Sequence, residues 1–490
     1  MWHKAAQLHP MARLTLLILM AALVLLPWAD LNLYQVEPGA ELGRMMQGLV
    51  SPSLSEIDTL THASLITVAF ALIGVGIAAL LGMPLALLFH FRVIRGLCAF
   101  IRAIHELFWA LIFMQVFGLS AITGLLAITL PYACTFAKVY AEILEGIDNQ
   151  TPLPSGTDKI SRWCYSTIPA AWSALVAYTR YRFECALRSS AILGFIGLPT
   201  LGFHLDTAFA QGVYDQAATI LLLFFALIAT LRFWLKPALV PVYLVVCLWA
   251  LPETPPVYGS YFWQFFTQDI WPKALLLGDW IGALNWYANQ LVSVAMPAVG
   301  QTLVLTQLSL AATCLLTVAL AWLGSRQFGN PISQTLGHGI LLALRSTPEM
   351  ILAFVFLLLF GPSMLPAILA LALHNSGLIS YLGSRITDHV KLRQDAPKGI
   401  DRYSYEILPR IYPQLMTFLL YRWEVIMRES AILGILGITT LGFYIDSAFE
   451  DIRFDRAALL IVISALLNVL VDSLARRLRR RAGLRELRMG

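Results

Sequence analysis

Charge is scarce in this chain. Only 13% of its 490 residues are Asp, Glu, Lys or Arg, while 58% are hydrophobic and the mean hydropathy is +0.72. That balance excludes a string of soluble domains. Cysteine is sparse too. The six present (Cys98, Cys134, Cys164, Cys185, Cys247 and Cys314) show no close paired spacing, so neither a disulfide framework nor a metal site is indicated. No G-x-x-x-x-G-K-[ST] stretch occurs, and nucleotide hydrolysis by this chain alone is not expected. An H-E-x-x-H helix and a G-x-S-x-G elbow are also missing, which removes the commonest hydrolytic sites. The net charge of +5 sits mainly between apolar runs, where it orients spans; it is not a nucleic-acid footprint.

What is abundant is apolar sequence in runs of membrane-spanning length, roughly 20 residues each. The first, "MARLTLLILMAALVLLPW", is flanked by Lys4 and Arg13 but lacks a small-x-small cleavage site, so it reads as a span and not as a signal peptide. An internal repeat follows. "YRFECALRSSAILGFIGLPTLGF" (181–203) returns as "YRWEVIMRESAILGILGITTLGF" (421–443) at an offset of 240, and Asp206, Phe209 and Asp215 match Asp446, Phe449 and Asp455 at the same offset. The expected fold is all-α and polytopic, with about 12 transmembrane helices in two parallel six-helix repeats. The first half, 1–236, has apolar runs near 12–28, 63–90, 105–118, 121–141, 170–193 and 215–231. The second, 237–490, has them near 237–252, 300–324, 346–360, 364–383, 409–433 and 455–474.

Lys and Arg gather after the second, fourth and sixth helices of each half, as Arg92, Arg95 and Arg102, then Lys159 and Arg162, then Arg232 and Lys236, with Arg326, Lys391, Arg393, Lys398 and Arg402 and the basic tail in the second. The positive-inside rule then places both termini in the cytoplasm. The segment 253–298 faces outward, with Trp263, Trp271, Trp280 and Trp286 suited to the headgroup level.

Two cytoplasmic segments, about 141–170 and 384–410, are long for helix-to-helix links. Each combines a helical turn, a Pro/Gly break, an amphipathic turn and a closing proline. In that order of parts they resemble the coupling loop of binding-protein-dependent ABC importer permeases. The matching residues are Glu142, Gly156, Ile168 and Pro169 in the first half; in the second, Pro409 matches, while Arg385 and Ala396 stand where the glutamate and the glycine would be. "RAIHELFWALIF", "AEILEGID" and the repeated stretch itself look like the permease subunit of phosphonate importers. The resemblance covers both halves and implies a translocation pore for phosphonate or a related phosphorus oxyanion in a bacterial cytoplasmic (inner) membrane. It further implies two copies of a soluble ATPase that hold ATP and Mg, a substrate-binding protein outside, and fused halves in place of a permease dimer. No cofactor is expected on this chain. An ion-coupled secondary transporter with parallel repeats, a permease for a different small solute, and a membrane anchor or sensor are the other readings.

The repeated stretch carries the charges that need explaining. An ionisable group near the centre of a span costs at least ~2.5–3.5 kcal/mol on insertion scales. Glu184 with Arg188, and Glu424 with Arg428, are spaced i,i+4 with glutamate first, which suits an ion pair; they brace the fifth helix or line a pathway. Arg182 and Arg422 lie nearer its cytoplasmic start, where snorkelling would serve them. Glu429 replaces Ser189 and balances the second copy's arginines, so an anion site would be lopsided. Ser189, Ser190 and Ser430 offer hydroxyls, while Gly194, Gly197, Gly434 and Gly437 allow a sharp re-entry. Glu106 and Glu349 begin the third helices as partners for the helix dipole.

Overall fold

In the computed structural model, residues 10–35, 37–148, 158–328 and 330–484 are described, and every regular element among them is helical. The principal helices are α1 (Pro10–Leu25), α2 (Ile57–Leu87), α3 (Arg92–Ala103), α4 (Glu106–Phe117), α5 (Ala121–Asp148), α6 (Ile168–Ile192), α7 (Leu201–Ala210) and α8 (Tyr214–Ala229). They continue as α9 (Val240–Ala250), α10 (Met296–Leu320), α11 (Pro331–Ser346), α12 (Glu349–Phe360), α13 (Met364–Asp388), α14 (Leu408–Glu429), α15 (Leu441–Glu450) and α16 (Phe454–Arg481). Six helical runs are long and apolar enough to cross a membrane, or up to nine if each bent pair counts as one span.

The third helices depart from the sequence expectation. Each is only 12 residues long, about 18 Å at 1.5 Å per residue, and is the second arm of a bent pair. α3 meets α4 at 89° and α11 meets α12 at 92°. The first bend falls at Ile104–His105, where the His105 ring nitrogen caps Leu107 N at 3.1 Å; the second falls at Thr347–Pro348, where the proline ring disfavours a helical Thr347. Arg92, Arg95 and Arg102 are therefore on a helix, α3, and not in a loop. The aromatic segment also changes: Trp280 and Trp286 belong to a helical run, Trp280–Leu320, of 41 residues, about twice the length of a bilayer crossing.

Contacts divide the chain into two compact units, Gly43–Asp269 and Met1–Leu42 with Ile270–Met489. These do not coincide with the repeat. In the first unit α2 packs on α5, α6 and α9. Small residues let α2 and α5 approach: a Cβ on Gly82 would strike Phe136, and Thr129 Oγ1 donates to Gly74 O at 3.3 Å. α9, which begins the second sequence half, is held here by Tyr243 OH donating to Trp234 O at 2.7 Å. In the other unit α10 packs on α13, α14 and α1. α1 is tied down by Gln307 Nε2 donating to Ile18 O at 3.0 Å, and the segment after it by Met364 N donating to Asp30 O at 2.9 Å. Each unit thus takes its leading helix from the other half of the sequence.

The glycines of the repeated stretch form the sharp turn expected of them. Gly197 and Gly437 adopt φ +96° and +81°, a region that favours glycine. A Cβ on Gly194 would strike the backbone of Gly202 and Phe203, and one on Gly202 the carbonyl of Ala191; Gly434 and Gly442 repeat this against Gly442–Phe443 and Ala431. The returning helices are seated alike. Leu201 N donates to Thr67 Oγ1 and Leu441 N to Thr302 Oγ1, each at 2.9 Å. Gly202→Ala or Gly442→Ala is expected to lower the thermal midpoint of the detergent-solubilised chain, by at least the ~1–3 kcal/mol of overpacking. Gly76→Ala, whose Cβ meets nothing within 4 Å, is expected to leave it in place.

Candidate functional site

Of the two long polar segments, the second is a built structure. In the second, the buried Glu406 carboxylate accepts from Arg393 N at 3.2 Å and Arg393 Nε at 2.9 Å, and pairs with Arg410. Arg402 donates to Pro397 O at 2.8 Å and to Gln327 O at 2.9 Å, while Gln327 Nε2 donates to Thr387 O at 2.7 Å and Val390 O at 3.0 Å. Asp388 accepts from Ser325 Oγ at 2.8 Å and from Arg326 N at 2.7 Å. Polar groups that a mere connection would leave to water are satisfied inside the segment. Arg385 is exposed near the end of α13, Ala396 is half-buried, and Pro409 starts α14, where its missing N–H costs nothing.

In the first segment Glu142 is exposed on α5, 4.0 Å from Lys138. Ile168 and Pro169 open α6, and Gly156 lies outside the described residues. Asp158 accepts from Ser161 N at 3.1 Å, and its carboxyl is held below the usual range chiefly by hydrogen bonding to Ser161. Each segment then makes a turn of wide helix before its proline, Trp163–Thr167 and Arg402–Ile407. Beside these turns stand side chains that the sequence reading did not single out. Ile160 and Ile400 are 74% and 79% exposed, Tyr165 and Tyr405 86% and 76%. They match at the repeat offset, which was the available signal.

A second polar feature lies inside each helical bundle, at the charges of the repeated stretch. On α14, Arg422 donates from Nη2 to Glu429 Oε1 at 3.0 Å, and from Nε to Asn375 Oδ1. Asn375 Nδ2 in turn reaches Glu429 Oε2 at 3.3 Å and Leu371 O at 2.8 Å. Close by, Thr347 O can only accept, so His374 Nδ1 donates to it at 2.9 Å and Nε2 is turned towards Glu349 Oε2 at 3.8 Å. Glu349, His374 and Glu429 bring ligand-type atoms within 4.8 Å of one another. Both Glu429 oxygens are already bonded by protein donors, however, so the arrangement serves to neutralise charge.

The corresponding place in the other unit is differently filled. Arg182 lies over the Tyr132 ring at 4.2 Å from its centroid, and Tyr132 OH is 3.2 Å from Ser189 Oγ. Glu106 Oε2 is 3.1 Å from His105 Nε2. Because His105 Nδ1 accepts from Leu107 N, the proton sits on Nε2 and is donated to Glu106. Tyr132 follows Glu106 at the distance in sequence at which Asn375 follows Glu349, so Tyr132 stands where the other unit has Asn375, while the two histidines have no counterparts.

Snorkelling does not describe these arginines. Arg422 is 17% exposed and doubly bonded, and Arg182 is covered by an aromatic ring. The i,i+7 pair Arg422–Glu429 is one that i,i+4 counting passes over. Arg188 has Cys185 Sγ 3.6 Å from Nη2, and Glu184, Arg188, Glu424 and Arg428 are all half-buried. Ser190 and Ser430 are fully buried and donate to Leu187 O at 2.9 Å and Met427 O at 2.7 Å, each on its own helix. His374 and Asn375 were missed in the sequence, although a His–Asn pair in the middle of the apolar run 364–383 was a visible signal. Glu429→Leu is expected to destabilise the detergent-solubilised chain by about 3–5 kcal/mol through the orphaned Arg422. Adding Arg422→Leu should recover part of that loss, read as non-additivity in a double-mutant cycle.

No protein-family model and no solved structure matches the chain. It is 24% identical over 470 residues, 88% of this chain and 87% of the relative, to the phosphate-import permease protein PhnE of Mycolicibacterium smegmatis. Over 212 residues, 41% of this chain, it is 24% identical to 73% of the phosphite transport system permease protein PtxC of Stutzerimonas stutzeri. Over 118 residues, 23% of this chain, it is 27% identical to 97% of a protein named as a putative cryptic phosphonate transport system permease, PhnE2 of Escherichia coli. Along most of its length the chain is similar to a phosphate-import permease, and over shorter stretches to phosphite and phosphonate transport permeases.

Proposed function

We propose that this chain is the membrane permease of an ATP-driven importer for phosphorus oxyanions such as phosphonate, phosphite or phosphate. The observation that carries the reading is that each of the two long polar segments presents an exposed isoleucine and tyrosine beside a wide helical turn. Large apolar and aromatic side chains held on a rigid base suit insertion into a groove on a soluble partner. The partner is an ABC ATPase, one copy for each segment, and it holds the ATP and Mg.

In this reading residues 1–236 and 237–490 are two permease domains by ancestry. They cross the inner membrane about twelve times with both termini in the cytoplasm, and they replace a dimer of separate permeases. A binding protein delivers the anion from outside. The chain itself moves no phosphoryl group; its work is to open on one side of the membrane at a time. The names of the relatives support the substrate class. A permease of the same type for another solute, or an ion-coupled transporter, would need neither that substrate class nor, in the second case, the ATPase.

The exposed pairs give the test. Tyr165→Ala with Tyr405→Ala should reduce co-purification of the ATPase by tenfold or more, since loss of an aromatic anchor typically costs about 2 kcal/mol or more at an interface. Each single variant should weaken it less. Full retention of the ATPase by the double variant, with Ile160 and Ile400 also replaced, would overturn the docking assignment.

A further inference from the structure

We propose that Arg182, framed by Tyr132 and Ser189, is the contact that this chain offers to the tetrahedral oxyanion, and that the second half offers no equivalent. This rests on the reading of the chain as a phosphorus-oxyanion permease. The two constellations share their arginine but differ in what surrounds it. Arg422 is consumed by Glu429 and Asn375. At the position of Glu429 the first half has Ser189, and at that of Asn375 it has Tyr132.

Arg182 consequently keeps its charge available. Its strongest electrostatic neighbours are Tyr178, Tyr132, Cys185 and Tyr181, none of them a carboxylate. Its Nε is a buried atom without a hydrogen-bond partner. The residue as a whole is only partly buried, so its exposure lies on other atoms. Glu106, the nearest candidate counter-ion by position, is engaged with His105.

A guanidinium without a carboxylate, inside an apolar bundle, is costly to maintain. The Tyr132 ring defrays part of that cost through its π face and holds the planar group in one orientation. Such a group presents its remaining N–H donors as a fork matched to two oxygens of a phosphonate, phosphite or phosphate. The Ser189 and Tyr132 hydroxyls stand beside it and can donate to a third oxygen. The second half shows what happens when a carboxylate is supplied: the arginine closes on it. Oxyanion recognition is therefore one-sided, and a single charge substitution converts the open constellation into the closed one.

The test transfers that closure. Ser189→Glu copies the second half's own solution and should fold, with Arg182 pairing to the new carboxylate. Uptake of labelled inorganic phosphate, phosphite and methylphosphonate is measured in cells carrying the complete importer, normalised to chain in the membrane. For whichever of these the natural chain transports, Ser189→Glu and Arg182→Gln should raise the apparent KM by about tenfold or more, the loss expected of a hydrogen bond to a charged group. Arg182→Lys should fall between them and the natural chain. Ser189→Gln, which removes the same hydroxyl and adds similar bulk without charge, should raise it by clearly less than Ser189→Glu. Equal damage by Ser189→Gln and Ser189→Glu, or unchanged uptake with Arg182→Gln, would overturn the assignment. If the natural chain takes up none of the three anions, the functional reading itself falls and takes this inference with it.

Discussion

A charge inside an apolar helical bundle must be compensated where it stands, because no water is at hand to solvate it. That constraint governs the middle of both units. On α14 it is met by a closed set in which Arg422, Asn375 and Glu429 satisfy one another. On α6 the equivalent arginine lies over a tyrosine ring and, among the described residues, has no ion pair with a carboxylate. One ancestral position has thus been given two electrostatic states. The closed state adds to the internal bracing of the bundle; the open one leaves a cation available to an anionic cargo.

Other duplicated features stayed alike. Thr67 and Thr302 seat the returning helices with the same bond length, and the glycine turns repeat their close approaches. Ile160 with Tyr165 and Ile400 with Tyr405 present the same side chains from both long polar segments. Geometry repeated at these places, with divergence beside the arginine, is the pattern expected if both copies meet the same kind of partner while only one meets the cargo. The exchange of leading helices adds a mechanical consequence. Because α1 is bonded to α10 and α9 packs on α2, neither half of the sequence contains all the helices of a compact unit.

Much of this was legible in the sequence. The sequence repeat, the all-helical apolar character and the glycine turn all follow from composition, spacing and small residues. Three features were not, each for a physical reason. The bends before Glu106 and Glu349 join the third helices to α3 and α11, whose charged and polar residues kept them out of the apolar runs. The partners of Arg422 were obscured because Asn375 lies on another helix and Glu429 is seven residues away, beyond the i,i+4 spacing that local counting tests. The exchange of α1 and α9 depends on contacts between distant segments, to which neither periodicity nor charge counts are sensitive.

The central claim is that transport of a phosphorus oxyanion by this chain is driven by a separate ATPase. It is tested most directly by reconstituting the chain in liposomes with its ATPase and binding protein and following uptake of labelled phosphate, phosphite and methylphosphonate with and without ATP. The account predicts uptake of at least one of these that ceases when either ATP or the ATPase is left out. Uptake that continues unchanged without the ATPase would contradict it.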